Sequence, residues 1–237
     1  MKVNKDNTGY IFLFTFLLIG VVAVILSSLA TSLAPQIAKN NETKKQMDLL
    51  QSIGIESTRT NALDLFTKYI ASNPSYVINN KGEIIEGVNA FDVDIRTQHR
   101  DRSLSEDEKM YPLFIADKDG VKLYIVPMVG KGLWGPVWGY VSLKDDRRTI
   151  YGVSFDHASE TPGLGAEIKQ SFFTDRYVSE TVADANLNFT PITVVKDGTG
   201  NQPLRVDGIT GGTITSKGVE EMVNRTMAIY LNYLKSN

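Results

Sequence analysis

The sequence predicts an α+β protein: one apolar N-terminal transmembrane helix, then a single domain with a largely antiparallel sheet and flanking helices. Three observations predict it. No Asp, Glu, Lys or Arg falls between Asp6 and Lys39. From Tyr76 onward, short β-rich runs alternate with turn signals such as NNKG and DKDG, the pattern of antiparallel hairpins. The last long stretch, VEEMVNRTMAIYLNYL, has apolar residues at 219, 222, 223, 227, 229, 230, 233 and 234, a helical stripe.

The elements follow in order. Residues 1–10 form a short tail. IFLFTFLLIGVVAVILSSLATSL opens the membrane helix, placed at 11–34. At about 1.5 Å of rise per residue this run exceeds the roughly 30 Å hydrocarbon core, and it is too long for a signal-peptide apolar region. Its orientation is not decided by charge, because Lys2 and Lys5 precede it while Lys39, Lys44 and Lys45 follow. A short tail ahead of a large domain favours the N-terminus inside. Residues 35–72 are expected to be a helical stalk, with a helix over ALDLFTKYI leaning on the domain. The domain then occupies 73–237. LFIADKDGVKLYIVPMVG predicts a hairpin, and WGYVSL and TIYGVSFDH predict two strands joined by the polar KDDRR. AEIKQSFFTDRYVSE predicts a helix and ITVVKDG a strand. Asp92 to Met110, dense in both charge signs, predicts an exposed excursion.

Composition removes several function classes. The 237 residues carry 25 basic against 27 acidic side chains, so nothing resembles a nucleic-acid footprint. With no Cys there are no disulfides, thiolate metal sites or cysteine nucleophiles. The two histidines, His99 and His157, lie far apart in sequence, and no metal site is expected; His157 is expected to be structural at a strand end. The membrane helix holds no ionisable residue, which argues against ion conduction through it.

Three stretches stand out chemically. GKGLWGPVWGY packs glycines and tryptophans together, and glycines in a strand pattern mark bulges or close approaches. Taken alone, it predicts a bent strand with core tryptophans. HASETPGLGAEI predicts a tight turn leading into a helix near Ala166 or Glu167, with oxygens offered by Glu160 and Thr161. DGITGGTITSKGV, Asp207 to Val219, puts Gly211 and Gly212 just ahead of the last helix, with Thr215 or Ser216 suited to its N-cap. A helix N-terminus favours phosphate, although Glu220 and Glu221 close behind count against an anion on that axis. Neither the Walker nor the Rossmann spacing is present. Physical reading alone stops at a phosphate-bearing ligand near Thr210 to Ser216.

TGGT followed by ITS resembles the flavinylation motif of the FMN-binding domain family, whose Ser/Thr-Gly-Ala-Thr core carries FMN through a phosphoester. Gly212 stands where that core usually has Ala. ETPGLG and KGLWG resemble the family's other two hallmarks, and all three follow one membrane helix in the expected order. The resemblance implies covalent FMN on Thr213, with Thr210, Gly211, Gly212 and Thr215 around it. It implies one apolar wall from Leu133 and Trp134 and an opposite edge from Glu160, Thr161, Gly163 and Leu164. Lys196 would neutralise a phosphate or reduced flavin. No catalytic residue is implied, because a separate flavin transferase using FAD installs the group. The implied role is electron relay on the outer, periplasmic side of a bacterial inner membrane. The implied partners are the membrane and the other subunits of a sodium-translocating NADH:quinone reductase. Two alternatives stay open: the matching subunit of a related ferredoxin:NAD reductase complex, and an unmodified structural or binding module.

Overall fold

A computed structural model describes residues 8–236; Lys2 and Lys5 of the N-terminal tail lie outside them. The chain divides into two compact units, residues 1–44 and 45–237. The first is the larger part of helix α1, Thr8–Ser52, which runs on through Pro35. Its most apolar stretch has a mean hydropathy of 2.7, and the large side chains from Ile11 to Leu33 are exposed. It is long and apolar enough to cross a membrane.

The second unit begins at Lys45, within the segment expected to be stalk. Leu49 and Leu50 of α1, with Ile53 just beyond it, are buried in a core cluster. Helix α2, Ala62–Phe66, continues as a π-helical turn over Thr67–Ala71 and adds Phe66 and Ile70 to that cluster. The main sheet has five antiparallel strands in sequential order: β1 Ser75–Ile78, β2 Tyr111–Lys118, β3 Val121–Lys131, β4 Pro136–Leu143 and β5 Ile150–His157. Alternation along a strand sends neighbouring side chains to opposite faces. Phe114, Ala116, Leu123 and Ile125 therefore join the α1-end cluster, while Leu113, Ile115, Tyr124 and Val126 join a second cluster on the other face.

That second cluster is closed by the terminal helix, α5, Thr213–Ser236, through Val219, Met222, Val223, Met227, Tyr230 and Leu231. The DKDG turn joins β2 to β3 with Asp119 and Gly120 both at positive φ, 56° and 81°, as a two-residue hairpin requires. The charged excursion contains helix α3, Ile95–Arg100, capped by the Asp94 side chain.

Two expectations about these elements differ from the structure. AEIKQSFFTDRYVSE is not one helix; it breaks into a 3-10 turn over Gly165–Lys169, helix α4, Ser171–Thr174, and a second 3-10 turn over Asp175–Tyr177. Gln170 is extended at φ −82°, ψ 148°, where the first break falls. Ile168 and Phe173 are both core residues, yet five residues apart on a straight helix they would point about 140° from each other. The strand expected in ITVVKDG is present as β6, Thr193–Val195, and it lies outside the main sheet, paired in parallel with the short β7, Arg205–Asp207. Neither tryptophan is in the core: Trp134 sits on the β3–β4 hairpin loop, and Trp138 is half-buried beneath the Arg96 guanidinium.

Candidate flavin site

The glycine-rich stretch is the entry to α5. The Gly212 carbonyl accepts from the Ser216 N–H at 2.9 Å and the Ser216 hydroxyl at 3.0 Å, so the helix opens with Thr213 as its first residue. Thr215 and Ser216 are thus inside the first turn, not at the N-cap. The reason is local: Ser216 Oγ also accepts from the Ile209 N–H at 3.1 Å and pins the loop against the turn it starts. Gly211 has φ +74° and its α-carbon faces Leu164, so the loop uses both a glycine-specific conformation and a close approach. At the base of the loop, the Gly208 N–H donates to the Val195 carbonyl at 2.8 Å and Arg176 Nη1 donates to the Asp207 carbonyl at 2.5 Å.

The two threonines of the first turn differ. Thr215 is buried and donates to Glu160 Oε2 at 2.5 Å. Thr213 is half-exposed, and its hydroxyl has no hydrogen-bond partner among the described residues. The first N–H groups of any helix lack partners inside it, so the helix start beside Thr213 offers donors to an anion, although the buried Glu160 carboxylate on Thr215 counts against it. Glu220 does not oppose this. It lies seven residues on, about 10 Å along the axis, and its carboxylate is engaged by the Val194 N–H and, at 2.7 Å, by Lys217.

Glu160 draws the other two stretches to the same place. It is 4% exposed, and its Oε1 accepts from the Trp134 N–H at 2.8 Å. Ser159 Oγ donates to the Trp134 carbonyl at 3.2 Å, so both backbone groups of Trp134 are held while the residue stays 67% exposed. The GLWG loop is tight, with the Gly132 N–H donating to the Gly135 carbonyl at 2.8 Å. The Glu160 N–H donates to His157 Nδ1 at 3.2 Å, which makes His157 the structural strand-end residue of β5. No group of three or more His, Cys, Asp or Glu suited to a metal occurs among the described residues.

The geometry therefore brings together Leu133, Trp134, Glu160, Leu164, Gly211, Gly212, Thr213 and Thr215. Thr161, Gly163 and Thr210 are exposed on the same loops. Lys196 is exposed directly after β6, one residue beyond the carbonyl that holds Gly208, and no bond ties it to the group among the described residues. Ile214 is a residue that sequence reasoning passes over: it is 60% exposed beside Thr213. The signal available is an apolar residue at the helix start, ahead of the stripe that begins at Val219. With Leu133, Trp134 and Leu164 it gives the loops four large exposed apolar side chains.

An unbonded hydroxyl at a helix start, flanked by exposed apolar side chains, fits a phosphate carrying a planar apolar ring. The FMN-binding domain family matches residues 132–228, which contain all of these loops. Fold and site together define an FMN-binding domain behind a single apolar helix. NqrC of Haemophilus ducreyi, the C subunit of its Na+-translocating NADH-quinone reductase, is 29% identical over 232 residues, covering 92% of this chain and 89% of its own. The Vibrio vulnificus NqrC is 30% identical over 215 residues, covering 84% and 83%. The crystal structure of the same C subunit from Parabacteroides distasonis superposes with a TM-score of 0.76 at 37% identity, covering 86% of this chain and 98% of its own. Shewanella oneidensis NqrC, at 24% identity and a TM-score of 0.67, shares the fold. The chain belongs to the NqrC family, the C subunits of Na+-translocating NADH-quinone reductases.

Proposed function

We propose that this chain is the FMN-carrying C subunit of a Na+-translocating NADH:quinone reductase, with FMN joined to Thr213 through a phosphoester. The observation that carries the choice of residue is the contrast within the first turn of α5. The Thr213 hydroxyl is half-exposed and unbonded, while the Thr215 hydroxyl is buried against Glu160. A flavin transferase using FAD would form the bond from Thr213 Oγ to the flavin-side phosphorus. The phosphoanhydride breaks, AMP leaves, and the hydroxyl proton passes to the transferase or solvent.

The chain's own residues then hold the group. Backbone N–H groups at the start of α5 would hold the phosphate, with Gly211 in its glycine-specific conformation beside them. Leu133, Trp134, Leu164 and Ile214 offer apolar cover for the ring; Thr161, Gly163 and Thr210 line the approach, and Lys196 supplies a positive charge at its margin. Bound FMN supplies reversible electron transfer. The tether would leave the ring at the domain surface, where a relay must meet its donor and acceptor. The anchor helix would cross the bacterial inner membrane with the domain on the periplasmic side. The partners would be the A, B, D, E and F subunits, with electron flow from NADH to quinone driving sodium export.

Intact-protein mass spectrometry of the full chain, coexpressed with a FAD-dependent flavin transferase, tests this directly. Wild type and Thr215→Ser should gain one FMN, and Thr213→Ala none. An FMN adduct on Thr213→Ala would show that another residue carries the flavin.

A further inference from the structure

We propose that Glu160 is a positioning residue for the flavin site: its one buried carboxylate ties together the three loops that form the site and sets a negative charge beside it. This rests on the assignment of FMN to Thr213. The three loops are distant in sequence and share this single side chain. Oε1 accepts from the Trp134 N–H at 2.8 Å, on the β3–β4 hairpin loop. Oε2 accepts from the Thr215 hydroxyl at 2.5 Å, in the first turn of α5. The backbone of Glu160 itself opens the ETPGLG turn and is held by His157 Nδ1.

The fit is close on both sides. A Cβ added at Gly132 would stand 2.5 Å from Oε1, and one at Gly165 would stand 2.5 Å from Oε2 and collide with Thr215 Oγ1. Glycine at these two positions is thus explained by the carboxylate that passes between them. Burying a carboxylate at 4% exposure is costly unless donors meet it. Two charge-assisted hydrogen bonds and the nearby positive end of α5 offset that cost. No Lys or Arg forms an ion pair with it among the described residues, so no cationic side chain neutralises it.

Position and charge can be separated. Gln keeps an acceptor for the Trp134 N–H and an amide that the Thr215 hydroxyl can turn to accept, so Glu160→Gln preserves the tie and removes the charge. Glu160→Ala removes both. A fixed negative charge opposes the addition of electrons to a nearby group. Glu160→Gln should therefore be flavinylated like wild type, with its flavin midpoint potential shifted to more positive values. Glu160→Ala should show several-fold less flavinylation, and Thr215→Val a smaller loss in the same direction.

The experiment is intact mass spectrometry and redox titration of the full chain and the three variants, each coexpressed with the transferase, with circular dichroism to confirm folding. A residue that only stabilised the fold would leave the potential of Glu160→Gln unmoved. Either an unmoved potential in Glu160→Gln or wild-type flavinylation in Glu160→Ala overturns the inference. A wild-type chain without the FMN mass would instead overturn the flavin assignment, and this inference with it.

Discussion

Two stretches of the same helix, α5, obey opposite rules. From Val219 to Leu234 apolar side chains are buried at helical spacing, and the exposed positions are polar or charged. From Thr213 to Lys217 the order is inverted: Thr215 and Ser216 are buried polar groups, while Ile214 is an exposed apolar one. The later stretch is arranged to exclude water from a sheet. The earlier stretch holds hydroxyls at fixed positions and leaves apolar surface for something the chain itself does not supply. A helix whose first turn is built against its own periodicity marks a binding site more sharply than its glycines do.

The largest expected effect is the pH dependence of the packed region. Burial pushes Tyr111 up to about 12, and raises Tyr177 and Tyr230 further; all three lie in the cluster beneath α5. The site-forming turn contains no tyrosine. Because the folded-state values are raised, the unfolded chain releases these protons first, from about pH 10. The stability they contribute is complete below pH 10 and is lost above it. Tyr177 and Tyr230 with Tyr140, which burial raises likewise in the cluster on the other face of the sheet, should together give a slope of about 4 kcal/mol per pH unit. Urea titrations at pH 9, 10 and 11 check this, and a Tyr230→Phe variant should show a visibly shallower decline.

Next in size is Met227→Ala. Met227 is fully buried in the same cluster, and truncation to Ala should cost about 2–5 kcal/mol. Below its lowered unfolding midpoint the variant should still accept FMN in full, because Met227 is about four turns from the site-forming end. Lost flavinylation in a folded Met227→Ala would show that the two regions are not separable.

Gly165→Ala reverses the pattern. Its new Cβ would press on Glu160 Oε2 and Thr215 Oγ1, an overpacking worth about 1–3 kcal/mol. The stability loss should be smaller than for Met227→Ala, yet flavinylation should fall several-fold, as intact mass would show. Equal flavinylation would mean that the loops tolerate displacement of the carboxylate.

The same contrast explains what can be read from the sequence. Strands β2 to β5 are legible because β-rich runs are bounded by turn signals, although the inner strands are buried on both faces, and the packed part of α5 because its burial repeats at period 3.6. The interrupted helix over 165–177 is not, because Ile168, Phe173 and Tyr177 reach the core from short turns rather than one face. β7 is too short to carry a pattern. At the site, Gly211 and Gly212 flag the loop, but the pairing of Glu160 with Thr215 links positions 55 residues apart, and no local spacing encodes it. Local residue types put the helix start too late because Thr215 and Ser216 are good N-cap residues; tertiary partners, Glu160 for one and Ile209 for the other, take their hydroxyls.

The smallest effect tests whether the loop itself is interchangeable with that of the wider FMN-binding domain family, where Ala is usual at the position of Gly212. A Cβ at Gly212 would sit 3.0 Å from Ile209 Cγ2 and 3.0 Å from the Leu164 carbonyl, so both must yield by a few tenths of an ångström. Gly212 is not at positive φ, so Ala is conformationally allowed and gains about 0.4–1 kcal/mol by restricting the unfolded chain. Against this, Ala is a poorer residue than Gly where the helix starts. These contributions nearly cancel, and Gly212→Ala should shift stability by less than about 1 kcal/mol, read as a urea midpoint shift at unchanged slope. Flavinylation should persist, because the Thr213 hydroxyl and the Glu160 tie to Thr215 are untouched. If the adduct were lost while stability held, the close packing of Leu164 over Gly212 would have to be part of how this chain presents its threonine.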